Sequence, residues 1–529
     1  MTRPQLTWLA LILTGALALR VTYFTAAVHT PGYVWQDPDG YEEQALRLSN
    51  NGQHWEWTFK AVTYGINGRE HALPPGYPVF LSIFAMFPGF PRTAQVAQIV
   101  LAVGSVALVF LLGRLIHSTT AGLVAATGYA LWVPSVFSVW STSQETFYLP
   151  VMLLGFFVLT RAIVRDAGPL AFGVAGLVFG VAALTRSMPL FFIGPAALLH
   201  VALAPAKRRA AVQAGAFVLG VLLLVVPYSA ALTKYFGRLT IIDTHGSIHF
   251  DVTGAPGTDA PPTLADTAKA LVQSIAARPW GYFLDCVDRA RTLFYVNGGR
   301  MLQIYVASSS RAGAAVWKAI VHLGADLPLL FAAILAPIGA VLCRQRRVAA
   351  ILVLWALVNI GIAALGGFGG ARLRQPFEPL MIILAAVVVA GQWQRPSRVW
   401  LGVAAAGALV AALAVVPQIP RSLAARADYG MNWPSILERP KGQMTGTGGF
   451  NLIATTGAAT FRATGQDAPS GIDLVVRANG RDVATTHLES GQPAPIQVPW
   501  PEVGMAFVDL SARRSDDGRP ATVEIAIQR

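Results

Sequence analysis

Two carboxylates, Asp37 and Asp39, share the stretch WQDPDGY at residues 35–41, just beyond a long apolar run. Either can take a proton from a hydroxyl, the task of a general base. A carboxylate this close to a membrane surface is costly unless it has a partner or a function. The plainer reading is loop solvation, with Asp39 capping the helical-looking DGYEEQALRLSNNG that follows. Farther along stand Glu145 in WSTSQETFYLP (140–150), Arg186 in LTRSMP (184–189), and Arg372 and Arg374 in GGFGGARLRQPFEPL (366–380). Glu145 reads either as an ordinary loop acid or as a second carboxylate converging on the first. Arg186 either snorkels or binds an anion. Arg372 and Arg374 carry planar guanidiniums, which suit phosphate. An acid beside cations that hold a phosphate is what transfer of a group from a lipid phosphate requires.

The elements that must position these residues are membrane helices. The chain has 529 residues, of which 54% are hydrophobic and 13% charged, against about 25% charged in soluble proteins. Such a composition describes an α-helical polytopic membrane protein. About eleven stretches are apolar enough to span, at ~20 residues per crossing: 5–28, 93–116, 120–139, 146–164, 168–185, 187–205, 210–231, 323–343, 348–366, 375–391 and 399–417. The first reads as a retained span rather than a cleaved signal peptide, since no small-residue cleavage site follows it.

The net charge of +13 would suggest nucleic acid in a soluble protein. Here the basic residues sit in short turns: Arg114, Arg161 with Arg165, Lys207 to Arg209, Arg344 with Arg346 and Arg347, and Arg395 with Arg398. That pattern is an orientation signal. It places the N-terminus and these turns in the cytoplasm and leaves no call for a nucleic-acid partner. Membrane lipids, including anionic head groups, are the expected surroundings. Arg372 and Arg374 face outward against this bias, which favours an anion-binding role for them. Segments 29–92, 232–322 and 418–529 fall outside. Cys286 and Cys343 fall on opposite sides of the bilayer, so neither a disulfide nor a thiolate metal site is expected. HALPPGYPVFLSIFAMF (71–87) is too short to span and reads as a helix at the outer interface, or else as a span broken by proline. Residues 418–449 read as a linker. Residues 450–529 read as a small all-β domain of sandwich type, with strand-like IDLVV and TVEIAI and a hairpin turn at Asn479-Gly480.

At these motifs the chain resembles the GT-C membrane glycosyltransferases, of the type related to protein O-mannosyltransferases and to the aminoarabinose transferase of lipid A. The resemblance rests on DPDGY, on PPGYPVFL at 74–81, on the outer acid Glu145 and on RLRQPFEP at 372–379, in that order, over residues 5–417. The match is weaker at IDTHGSIHFDVTGAP (242–256), where such proteins often carry a glycine- and asparagine-rich loop and asparagine is scarce here. The resemblance implies an inner-membrane enzyme that moves a monosaccharide from a polyprenyl-phosphate donor to a hydroxyl of a glycan, lipid or protein acceptor outside the cytoplasm, with inversion. It makes Asp37 the leading catalytic acid, with Asp39 and Glu145 beside it. It makes Arg372, Arg374, Arg186, Tyr41 and Tyr77 substrate-binding residues. No metal-ligating cluster is legible and no cofactor is certain, although some members of the family use a divalent cation.

Two rival readings are a transporter or flippase of lipid-linked material and an inactive scaffold of the same fold. Transporters place charges near the bilayer midplane and often show two related halves; neither pattern is evident here. Eleven spans from a cytoplasmic N-terminus put the β domain outside. A reporter fused after Arg529 is therefore expected to signal from the extracytoplasmic side, and a cytoplasm-only signal would overturn the topology.

Overall fold

The computed structural model describes residues 2–28, 40–66, 69–140, 142–243, 264–294, 324, 327–365, 371–391, 393, 396–416, 441–445, 447–454, 458–466, 469–478, 481–499, 504–519 and 521–527. The chain divides into two units. One comprises Met1–Phe24, Gln36–Tyr295 and Pro328–Gln418; the other comprises Thr25–Trp35, Val296–Leu327 and Ile419–Arg529.

Every stretch expected to span carries a helix. In chain order these are α1 (Arg3–Val28), α4 (Arg92–Ile116), α5 (Thr119–Ala130) with α6 (Val133–Phe137), α7 (Glu145–Val164), α8 (Pro169–Thr185), α9 (Pro189–Leu203) and α10 (Lys207–Phe236). After these come α13 (Leu327–Leu342), α14 (Arg346–Leu365), α15 (Glu378–Ala390) and α16 (Arg398–Val415). The segments expected outside add α2 (Tyr41–Leu48), the strands β1 (Thr63–Ile66) and β2 (Arg69–Ala72), α3 (Gly76–Ala85), α11 (Leu264–Ala277) and α12 (Pro279–Thr292). Among the described residues, six helices are long and apolar enough to cross a membrane, and five more are apolar but shorter.

Helix starts follow local chemistry. Proline opens α8 and α9, where its missing N–H is no loss. The Ser118 hydroxyl accepts from the Ala121 amide to cap α5. The start of α2 differs from expectation: the cap residue is Gly40, at φ 69°, so Asp39 precedes the cap. That left-handed backbone favours glycine.

The stretch 120–139 does not form one continuous span. Helix α5 has 12 residues, about 18 Å of rise, well short of a ~30 Å hydrocarbon core. The chain leaves the helix at Leu131 and Trp132 and re-enters at α6, with Pro134 in its first turn. Irregular backbone at membrane depth survives only inside protein, and Trp132 to Phe137 are all buried. Arg20, fully buried on α1, serves this break. Its Nη1 donates to the carbonyls of Ala16 and Ala130 (both 3.2 Å), and its Nη2 donates to Ser135 Oγ at 2.7 Å. The freed end of α5 is thus satisfied by a side chain from another helix.

Between spans the hydrophobic effect gives little, because lipid tails are as apolar as leucine; close packing and hydrogen bonds do the joining. The α8–α10 crossing shows this. A Cβ on Gly176 would lie 2.0 Å from the Phe217 carbonyl oxygen, and one on Gly220 would lie 2.2 Å from that of Gly173. Elsewhere in the unit, Phe156, Phe179, Phe192 and Trp355 form an aromatic cluster with ring centroids 5.1–5.7 Å apart. The Trp355 indole donates to the Pro376 carbonyl at 2.9 Å.

The other unit holds two antiparallel four-stranded sheets. The strands are β3 (Lys441–Thr445), β4 (Thr447–Ala454), β5 (Ala458–Gln466), β6 (Ile472–Ala478), β7 (Arg481–Leu488), β8 (Pro493–Pro499), β9 (Gly504–Arg514) and β10 (Thr522–Ile527). The sheet orders are β3-β10-β5-β8 and β4-β9-β6-β7. Ile472, Leu474 and Val476 alternate inward on β6, as do Phe461 and Ala463 on β5. A Cβ on Gly465 of β5 would meet Ile472 of β6 at 3.1 Å, so the two sheets face each other as a sandwich. Among the described residues of this unit the first strand starts at Lys441, inside the stretch expected as linker. Asn479 and Gly480 lie outside the described residues; Ala478 and Arg481 pair with each other.

The α8–α10 crossing sets a test. Gly176→Ala forces backbone apart and is expected to lower the thermal midpoint by the equivalent of about 1–3 kcal/mol. Gly194→Ala, where a Cβ meets nothing within 4 Å, is the control. Equal midpoints would refute the crossing.

Candidate functional site

Asp37 and Asp39 lie outside the described residues, as does the 244–256 part of the glycine-containing loop. The rest of the outer cluster can be built from its neighbours.

Glu145 opens α7 and is 1% exposed. Its Oε1 accepts from Arg186 Nη1 at 2.8 Å, and its Oε2 accepts from the Ser143 hydroxyl. Arg186 follows the last turn of α8, in extended conformation. Its guanidinium also stands 6.0 Å from the Tyr148 ring centroid. The acid and the arginine, read separately from the sequence, form one buried ion pair. Removing either partner alone would strand a charge away from water, a loss of about 3–5 kcal/mol.

Tyr41 and Tyr77 meet edge to face with centroids 5.0 Å apart, joining α2 to α3. Both are buried. The Tyr77 hydroxyl donates to Gln98 Oε1 at 2.7 Å, and the Thr146 hydroxyl donates to the same oxygen at 2.5 Å. Gln98 Nε2 donates to the Val139 carbonyl at 3.5 Å. Gln98, on α4, thereby ties the first outer segment to the mouth of α7.

Thr142, three residues before Glu145, donates to Glu42 Oε1 at 2.7 Å. Burial pushes the Glu42 carboxyl above the ordinary glutamate range; the Thr142 bond and the nearby Arg92 pull partly back. Glu42 went unnoticed in the sequence because an acid in the first turn of a helix is ordinary.

Arg374 is fully buried in the turn before α15. Its Nε donates to Glu378 Oε1 at 2.6 Å, and its Nη1 donates to the Leu293 carbonyl. The Trp132 indole donates to Glu378 Oε2 at 2.8 Å. Arg374 is therefore engaged in holding protein together, joining the broken third span to α15 and to the end of α12. The backbone of Arg372 lies in the same turn; its side chain is outside the described residues. Glu378 was legible four residues after Arg374, a helix-neighbour spacing. Arg20 was legible as a lone charge inside an apolar span.

Among the described residues, no three His, Cys, Asp or Glu side chains lie together where they could hold a metal. A separate cleft at the basic turn is lined by Pro169, Ala206, Lys207, Arg208, Arg209 and Val212. None of the outer-cluster residues lines it, so it does not bear on the chemistry.

Residues 72–232, which include Tyr77, Gln98, Glu145 and Arg186, match the family model described as Dolichyl-phosphate-mannose-protein mannosyltransferase. No curated protein matches the chain. Solved structures similar to it include the archaeal oligosaccharyltransferase AglB from Archaeoglobus fulgidus in complex with an inhibitory peptide and a dolichol-phosphate (15% identity, 79% of this chain and 56% of that one, TM-score 0.46). The same A. fulgidus oligosaccharyltransferase, in a complex with Zn and sulfate, is 16% identical (79% and 52%, TM-score 0.44). ArnT from Cupriavidus metallidurans bound to undecaprenyl phosphate is also 16% identical (80% and 66%, TM-score 0.45). The chain thus spans a little over half the length of the archaeal proteins. The GT-C resemblance drawn from the motifs meets the family match over the segment that carries Tyr77 and Glu145.

The raised Glu42 carboxyl gives a signed prediction. A group that holds its proton more tightly when folded loses stability as pH rises from the ordinary glutamate value through the raised one. Glu42→Gln keeps an acceptor for Thr142 and removes that loss. The variant is expected to melt higher than the parent at neutral pH, with the gap closing below the ordinary glutamate value. No gap at neutral pH would show that the carboxylate is not buried at a cost.

Proposed function

We propose that this GT-C-like chain, matched over residues 72–232 to the dolichyl-phosphate-mannose-protein mannosyltransferases, transfers a monosaccharide from a polyprenyl-phosphate donor to an acceptor hydroxyl outside the cytoplasm. The observation that carries the reading is the buried Glu145–Arg186 pair, set inside the matched segment at the mouth of a multi-span unit. It supplies a fixed, water-poor wall of alternating charge where a sugar phosphate could be handled.

In this reading the lipid tail lies between spans and the sugar phosphate reaches the outer mouth. Arg372 holds the phosphate, and Arg374, through Glu378, sets the turn that aims it. Arg186, fixed by Glu145, faces the sugar. Asp37 takes the proton of the acceptor hydroxyl as its oxygen attacks the anomeric carbon; the bond to the lipid phosphate breaks, and the phosphate leaves with its electron pair. One displacement inverts the anomeric centre. Asp39 stands ready as the alternative base. No step is routed through a divalent cation. Tyr41 and Tyr77 shape the floor beneath the acceptor. The β domain guides a glycan, lipid or protein acceptor from the same compartment, the inner membrane being the expected location.

Asp37→Asn keeps size and loses basicity, so transfer from a labelled polyprenyl-phosphate sugar should fall by ~10²-fold or more, while the protein still inserts and melts normally. Near-parental turnover would reject Asp37 as base. Labelled lipid that crosses the bilayer with its sugar bond intact would favour the flippase reading.

A further inference from the structure

Helix α14 ends at Leu365, and the turn Ala371–Arg374 comes soon after it. The last four carbonyls of a helix have no partner inside it, and together they act as about half a negative charge. Such an end repels a phosphate placed beside it. In this chain two side chains of α12 tie it off. The Tyr282 hydroxyl donates to the Leu365 carbonyl at 2.9 Å. Arg289 Nη1 donates to the Ala364 carbonyl at 2.9 Å and to the Leu365 carbonyl at 3.3 Å. The Arg289 guanidinium stands 5.1 Å from the Tyr282 ring centroid, so cation and ring brace each other. Tyr282 is buried and Arg289 half-buried.

The same helix reaches the far side of the turn. Leu293, the C-cap of α12, is fully buried, and its carbonyl accepts from Arg374 Nη1. Tyr282, Arg289 and Leu293 follow one another at i, i+7 and i+11, positions on one helix face. One face of α12 therefore holds the chain on both sides of Arg372: at Leu365 before it and at Arg374 after it. The order of dependence is set by burial. Helix α14 is fixed by Trp355, which is fully buried and bonded to the Pro376 carbonyl. Tyr282 and Arg289 fasten α12 to the end of that fixed helix. The fastening in turn brings Leu293 to Arg374, whose Nε is already taken by Glu378.

We infer that Arg289 and Tyr282 are positioning residues for the donor phosphate. They cancel the negative end of α14, and they fix α12 so that Leu293 holds Arg374 and with it the turn that carries Arg372. Neither touches the substrate. Arg289 supplies the cation that makes the neighbourhood of the turn fit for an anion; Tyr282 supplies a second donor to Leu365 and a ring that keeps the guanidinium in place. That a phosphate is bound at this turn rests on the proposed function; the hold of α12 on the turn does not.

Two readouts on the full chain in lipid vesicles test this. The first needs no turnover. With Cys286→Ala and Cys343→Ala in place, a nitroxide is attached at Arg372→Cys and its spectrum recorded. Arg289→Gln and Tyr282→Phe are each expected to narrow the lines as the turn gains freedom, while Arg289→Lys, which restores the cation, keeps them broad. Unchanged lines in the first two variants would overturn the inference. The second readout is transfer from the labelled polyprenyl-phosphate sugar with Arg372 intact. Arg289→Gln is expected to raise the donor KM by roughly 3- to 10-fold, the size of a charge effect at a helix end. The acceptor KM stays unchanged, and Arg289→Lys stays near the parent. Added to Arg372→Gln, Arg289→Gln costs little more, because both act at one turn. Equal rises in both KM values, or full additivity with Arg372→Gln, would overturn the inference and leave Arg289 a plain helix cap. A chain whose lines narrow as expected but which transfers no sugar would refute the proposed reaction and leave the hold of α12 on the turn standing.

Discussion

Inside a bilayer no water is at hand to satisfy a broken backbone or an unpaired charge. The membrane unit depends on how it meets that constraint at the break in its third span. Helix α5 stops short, Trp132 leaves the helix, and three side chains from elsewhere close the gap. Arg20 reaches across from α1 to the Ala130 carbonyl and to Ser135. Glu378 receives the Trp132 indole, and Arg374 completes the charge. Two of these groups are buried arginines and one is a buried acid, costly features that make sense only together. The break in turn lets the chain travel beneath the outer surface toward Val139, whose carbonyl meets Gln98.

The polar layer above this closure is assembled from five helices and the loop before α7 by hydrogen bonds. The Glu145–Arg186 pair joins α7 to the end of α8; Gln98 joins α4 to Tyr77 and Thr146; Glu42 and Thr142 link α2 to the loop before α7. A carboxylate with a rising proton affinity, Glu42, lies within this layer, three residues beyond Asp39.

Apolar length and the charge of the turns made the spans and their order legible, because both signals are additive along the chain. The break in 120–139 was harder to read. Leu131, Trp132 and Val133 are as apolar as the helix around them, and only Pro134 hinted at an interruption. Arg374 shows the opposite limit. Its place against the charge bias pointed to an anion, and in the fold a partner four residues on, Glu378, takes its Nε. Glu145 and Arg186 were each singled out, but their pairing spans 41 residues of chain and only the fold brings them together. The β domain was legible from alternation in β6 and β10. Its first strand was hidden because KGQMTGTGGF is too rich in glycine and polar residues to look like a sheet.

The Gln98 carboxamide ties α3 and the start of α7 together. Its oxygen has two lone pairs, and hydroxyls from Tyr77 and Thr146 both use it. Pulling α3 away would tear the buried Tyr77 hydroxyl from its acceptor, whereas the Thr146 hydroxyl also has the Ser143 carbonyl at 2.7 Å. Through that one carboxamide, α3 and the start of α7 are coupled, so a displacement of either is felt by the other.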